Sequence, residues 1–201
     1  MKILLTGFDP FGGESINPAL EAVKLVKAPA GAELVRLEVP TVFGRSVAAV
    51  LEAVRLHRPD AVVCVGQAAG RGEITPERVA INIADASIPD NEGNQPCDAP
   101  IVPEGENACF STLPVKAMAE AIRAAGLPAS VSNTAGTFVC NQLMYGLLYH
   151  ISREFPGMRG GFIHVPCIPE QAARMEKSVP SLPLPEIVRG LEAALSVLVN
   201  T

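Results

Sequence analysis

Cys140 is the residue best placed for nucleophilic chemistry. It follows the polar string Ser132-Asn133-Thr134-Ala135-Gly136-Thr137-Phe138-Val139 and precedes an apolar run that reaches Tyr149. That order predicts a turn between a strand and a helix, with Cys140 in the first helical turn. Backbone N–H groups there lack intrahelical partners and the helix dipole is positive, which favours a thiolate and suits an oxyanion. The plain alternative is a small core hydrophobe, the usual fate of a free cysteine. Cys64 lies in an apolar strand, Cys97 and Cys109 in a long loop with no evident base, and Cys167 behind a proline. Of the three histidines, His57 and His150 fall near helix C-termini, where a cap or a solvated side chain is the ordinary role. His164 lies between Ile163 and Val165 near the end of an apolar run, before Pro166. A cysteine at one strand end and a histidine at another are what a Cys–His pair requires. A third group should orient the imidazole. Glu73, Glu77 and Asp85 are the acids on offer, and their spacing does not choose among them.

The first loop, Thr6-Gly-Phe-Asp-Pro-Phe-Gly-Gly13, carries two of only seven phenylalanines in a chain with two tyrosines and no tryptophan. Phe8 and Phe11 leave a strand end, where they either pack under the loop or line a site. Thr-Gly after a first strand also suggests a nucleotide site. The glycine spacing does not fit G-x-G-x-x-G, however, and no G-x-x-x-x-G-K-[ST] occurs.

These residues need a frame that brings strand ends together. Apolar runs at Lys2–Thr6, Leu34–Val39, Ala61–Val65, Ala129–Ser132 and Gly161–Val165 predict strands. A further strand is expected at Arg78–Ile83, within a long irregular stretch from Gly66 to about Leu113. Helical stripes are read at Phe43-Val47-Val50-Leu51-Val54, Val115-Met118-Ala119-Ile122 and Ile187-Val188-Leu191-Ala194-Leu195-Leu198. Asn17-Pro18 opens another helix, as cap and first-turn proline. Phe138 to about His150 predicts a buried helix and Glu170–Lys177 a short one. Alternating strands and helices imply an α/β fold, a single-domain three-layer α/β/α arrangement over residues 1–201 with a mostly parallel twisted sheet. Active groups in such sheets gather at the carboxyl ends of the strands.

Composition narrows the function. Hydrophobic residues make up 48% and charged residues 18% of the 201, which excludes intrinsic disorder. The net charge of −5 does not favour nucleic acid. No window approaches a membrane span, and no signal peptide is read at the start. Five cysteines without a C-x-x-C pair suit a reduced, cytoplasmic setting better than a disulfide scaffold or structural zinc.

Long collinear motifs then identify a family. The segments TGFDPFGGESINP (6–18), VGQAAGRGEITPERVAIN (65–82), IPDNEGNQP (88–96), FSTLPVKAM (110–118), SNTAGTFVCNQLMYGLLY (132–149) and FIHVP (162–166) resemble pyroglutamyl peptidase I, a cysteine peptidase family. The resemblance implies a catalytic triad of Glu77, Cys140 and His164, choosing Glu77 where spacing did not. It implies a pocket of Phe8, Phe11 and Phe138, with Gln67 as polar partner of the lactam. It also implies an α/β/α fold, no metal or cofactor, a homotetramer, and peptides with an N-terminal pyroglutamate as substrates. Two positions depart from the pattern. Ala69 stands where the family often has glycine, and Ser87 where many bacterial members carry an arginine that is a candidate oxyanion ligand.

Overall fold

The computed structural model describes residues 1–175 and 177–199. Strands β1 (Lys2–Phe8), β2 (Glu33–Val39) and β3 (Ala61–Gln67) alternate with helices α1 (Pro18–Leu25) and α2 (Arg45–His57). The middle of the chain holds β4 (Thr75–Pro76), β5 (Val79–Ile81), β6 (Ala108–Phe110) and α3 (Val115–Ala124). Then come α4 (Val139–Glu154), β7 (Arg159–Val165), α5 (Pro169–Ala172) and α6 (Leu184–Val199). The main sheet has the order β2-β1-β3-β7-β4. Its first four strands are parallel and β4 runs antiparallel along the β7 edge. β5 and β6 form a separate antiparallel ribbon.

Strand side chains alternate between two cores, because successive residues point to opposite faces. Ile3, Leu5, Val63, Val65, Ile163 and Val165 meet α1, α3 and α6 on one side. Leu4, Phe8, Val62, Cys64 and Phe162 meet α2 and α4 on the other. The central strands are buried on both faces and so read as continuous apolar runs rather than alternating ones. The result is the three-layer α/β/α arrangement expected. Asn17 caps α1, accepting from Ala19 N at 3.0 Å, with Pro18 as its first residue. Among the described residues, no helix is long and apolar enough to cross a membrane.

The structure corrects three details. Ala129–Ser132 is not a strand but two isolated bridges, Ala129 to Ile74 and Ser132 to Glu77. Its partner segment contains Pro76, which has no N–H to continue a ladder. The strand expected over Arg78–Ile83 is the shorter β5, and the long stretch also supplies β4 and β6. The helix expected over Glu170–Lys177 is the single turn α5; Glu176 lies outside the described residues.

Candidate active site

Alternation along the strands places the site. His164 is two residues beyond Phe162 on β7, and Gly66 two beyond Cys64 on β3, so both face the α4 layer at the carboxyl end of the sheet. Gly66 pairs directly with His164. The N-terminus of α4 arrives over them, with Cys140 as its second residue. A Cβ built on Gly66 would lie 2.9 Å from Cys140 Sγ and 2.7 Å from Phe162 Cζ. Glycine is therefore what allows the helix start and the Phe162 ring to approach β3 this closely. Asn141, fully buried beside Cys140, fixes the helix to β5. Its Nδ2 donates to Ile81 O and Ile83 O at 2.9 Å, and its Oδ1 accepts from Ile81 N at 3.0 Å.

Glu77 reaches His164 from the sheet edge. β4 pairs Thr75 with His164, and Glu77 N donates to Phe162 O at 2.8 Å. Glu77 Oε1 lies 2.7 Å from His164 Nδ1 and is completely buried. Glu73 instead lines an outer polar groove with Thr75 and Ser130. Asp85 is exposed and ties the loop before α4 through its backbone, where it donates to Thr137 O and accepts from Thr137 Oγ1. Of the three acids, only Glu77 meets the imidazole in the described structure. His57 ends α2, and His150 pairs with Glu154 at 2.6 Å on the surface of α4.

Arg71, which the residue types alone did not single out, completes the cluster. Its Nη1 meets Glu77 Oε1 at 2.5 Å and Thr75 Oγ1 at 2.7 Å, and its Nη2 donates to Thr134 O at 2.8 Å. A lone arginine in a Gly-rich loop gives no sequence signal of this role; only the fold brings it onto Glu77. The second carboxylate oxygen, Glu77 Oε2, is buried with no partner among the described residues. The nearby Ser132 hydroxyl donates to Thr134 O at 3.1 Å, and as a free rotor it can turn to that oxygen.

The electrostatics follow from this packing. Burial pushes Glu77 up, but the hydrogen bond and charge of His164, with Ser132 and Arg71, outweigh it and hold the carboxyl below its ordinary value. Burial pulls His164 down despite the hydrogen bond and charge of Glu77. Cys140 is half-buried. Burial, the Glu77 charge and neighbouring Cys64 push its thiol up to about 12, against the pull of Arg71 and the helix backbone. The thiolate expected from the helix start is thus overridden by desolvation. A neutral thiol and a neutral imidazole therefore share the wall of one cavity.

A cavity of about 210 Å³ opens at Cys140 and His164. Phe8, Phe11, Phe138 and Gln67 line it together with Arg71, and among the described residues no carboxylate does. The Phe11 and Phe138 rings are 6.4 Å apart, and Phe43 stacks edge-on against Phe138 at 5.3 Å. Phe8 packs on Phe162, whose ring lies 4.7 Å from that of His164. Phe43 and Phe162 are supporting residues absent from the expected set. Ser87 is exposed and does not line the cavity.

Comparison with known proteins agrees with this frame. The sequence pattern of the family described as pyroglutamyl peptidase matches residues 1–201. The chain is 58% identical over 201 residues to a pyrrolidone-carboxylate peptidase of Lactobacillus johnsonii, covering all of this chain and 93% of that protein. A Streptococcus suis protein of the same name is 56% identical with the same coverage. The crystal structure of Bacillus amyloliquefaciens pyroglutamyl peptidase I superposes with a TM-score of 0.95 at 53% identity, over 100% of this chain and 97% of that one. A variant pyrrolidone carboxyl peptidase from Pyrococcus furiosus gives 0.95 at 38%, over 100% and 99%. With its whole length matched in sequence and in fold, and a cysteine, a histidine and an apolar cavity meeting at the sheet's carboxyl rim, the chain belongs to the pyroglutamyl peptidase family of cysteine peptidases.

Proposed function

We propose that the chain, as one catalytic domain, removes the N-terminal pyroglutamyl residue from peptides through Cys140, His164 and Glu77. The observation that carries this is the cavity in which Cys140 and His164 open onto three phenylalanines and Gln67, with Glu77 2.7 Å behind the imidazole. A pyroglutamyl residue has no free α-amine. It needs an apolar slot for a flat ring and a few partners for the lactam. A cavity with the Arg71 cation at its wall, and no carboxylate among the described residues that line it, suits that neutral group and disfavours an ammonium.

Glu77 accepts from His164 Nδ1–H, which leaves Nε2 as the base. As Cys140 Sγ bonds to the pyroglutamyl carbonyl carbon, its proton passes to Nε2. A neutral resting pair means the proton moves during attack rather than before it. Free N–H groups in the first turn of α4 stand where the tetrahedral oxyanion develops. The C–N bond then breaks and Nε2–H protonates the leaving amine. Water, deprotonated by Nε2, splits the thioester and releases pyroglutamate.

The test is turnover of a chromogenic pyroglutamyl amide. Wild type is expected to be active and Cys140→Ala inert with an unchanged melting curve. Glu77→Gln should lower kcat by less than Cys140→Ala does. Adding it to Cys140→Ala should cost nothing more, because groups that act as a unit are non-additive. An active Cys140→Ala protein would overturn the assignment.

A further inference from the structure

Gln171 is a fully buried polar side chain on the one-turn helix α5. It does not itself line the cavity, yet it bonds to Gln67, which does, and to the first loop, which also contributes to the wall. Its Nε2 donates to Ile16 O in the first loop at 3.3 Å, and its Oε1 accepts from Ile168 N at 3.4 Å. The same Oε1 accepts from Gln67 Nε2 at 3.1 Å, and Gln67 Nε2 also reaches Cys167 Sγ at 3.1 Å.

The direction of these bonds is set by the backbone. A carbonyl can only accept and an amide N–H can only donate, so Ile16 O and Ile168 N permit one orientation of the Gln171 amide. Reversing it would set oxygen against oxygen at Ile16 and donor against donor at Ile168. With Gln171 fixed, Gln67 must present its NH₂ to Gln171. Gln67 Oε1 is then left without a partner among the described residues, is not closed off from the surface, and belongs to a side chain that lines the cavity.

We propose that Gln171 is a positioning residue for ring selectivity, holding Gln67 so that its carbonyl oxygen meets the N–H of a lactam ring. This rests on the pyroglutamyl reading above. A released Gln67 amide offers either its oxygen or its NH₂, and the second repels the lactam N–H while accommodating a ring that carries an acceptor there. Gln171 therefore acts on which ring enters, not on the bond that breaks.

The experiment compares kcat/KM for a pyroglutamyl amide with that for the matching γ-lactone amide, in which a ring oxygen replaces the N–H. Wild type should favour the lactam by about 10³-fold, since a site built around a hydrogen bond rejects the analogue lacking it. Gln171→Met should bring that ratio below about tenfold, mainly through KM for the lactam. Gln171→Glu, protonated in this fully buried position so that its O–H donates to Ile16 O, keeps the acceptor for Gln67 and should stay within about threefold of the wild-type ratio. A purely structural role would lower both substrates together and leave the ratio alone. Gln171→Met retaining the wild-type ratio overturns the inference, as does a folded Gln171→Glu that loses it. A wild type that cleaves both rings equally also overturns it, leaving the peptidase reading intact. A wild type that cleaves neither removes the peptidase reading itself.

Discussion

At the residue scale, desolvation decides the chemistry of Cys140. The helix start would lower the thiol's pKa, but burial beside a charged Glu77 raises it to about 12. The site therefore depends on His164 being neutral, and kcat/KM should fall as acid protonates His164. That inflection is expected below the ordinary histidine value of 6.5, because burial pulls the imidazole down. Ser87 belongs to this scale too. It is exposed and off the cavity wall, so Ser87→Ala should cost less than about tenfold in kcat, well under the ~10²–10³ of a lost oxyanion donor. A hundredfold fall measured on a pyroglutamyl amide would place the hydroxyl on the oxyanion and displace the α4 backbone from that role.

At the element scale, the decisive contact is α4 over β3. Helix and strand meet at Gly66, where any Cβ would press on Cys140 Sγ and on Phe162. Gly66→Ala should cost roughly 1–3 kcal/mol of stability from overpacking. Its effect on turnover should be far larger, about 10²-fold in kcat, because a misplaced nucleophile loses its attack geometry. Melting curves and kcat on the same preparation separate the two effects. Wild-type kcat in Gly66→Ala would mean that the thiol tolerates displacement. Asn141 secures the same helix start against β5, so Cys140 is held from beneath by a glycine and from the side by an amide.

At the scale of the whole molecule, the buried pair makes the fold sensitive to acid. Glu77 and His164 both have folded pKa values below their unfolded ones, so on acidification the unfolded chain takes up each proton first. Stability should then fall as pH drops below about 6.5 from His164, and fall further below about 4.5 from Glu77. His164→Gln should flatten the first part of that decline. Melting temperatures between pH 7 and 5 check this, and equal slopes in wild type and variant would show that other groups govern it.

Much of this was legible in the chain itself. The central strands announced themselves as apolar runs, Asn17-Pro18 marked a helix start, and the polar string before a buried helix and the end of the last apolar run marked where Cys140 and His164 stand, although Ala129–Ser132, read as the strand before that string, forms only isolated bridges. Periodicity and capping are local properties, written within a few residues of where they act. The family motifs named Glu77 as well, but residue spacing alone left it level with Glu73 and Asp85. Long-range placement separates those acids: β4 folds back antiparallel along β7 and sets Glu77, not its neighbours, against the imidazole. Arg71, Gly66 and Gln171 were silent for the same reason. An arginine in a loop, a glycine in a strand and a glutamine in a one-turn helix have many ordinary roles. Only the packing of distant segments gives them a carboxylate to hold, a thiol to admit and an amide to orient, and the burial that packing brings keeps the thiol of Cys140 protonated at rest.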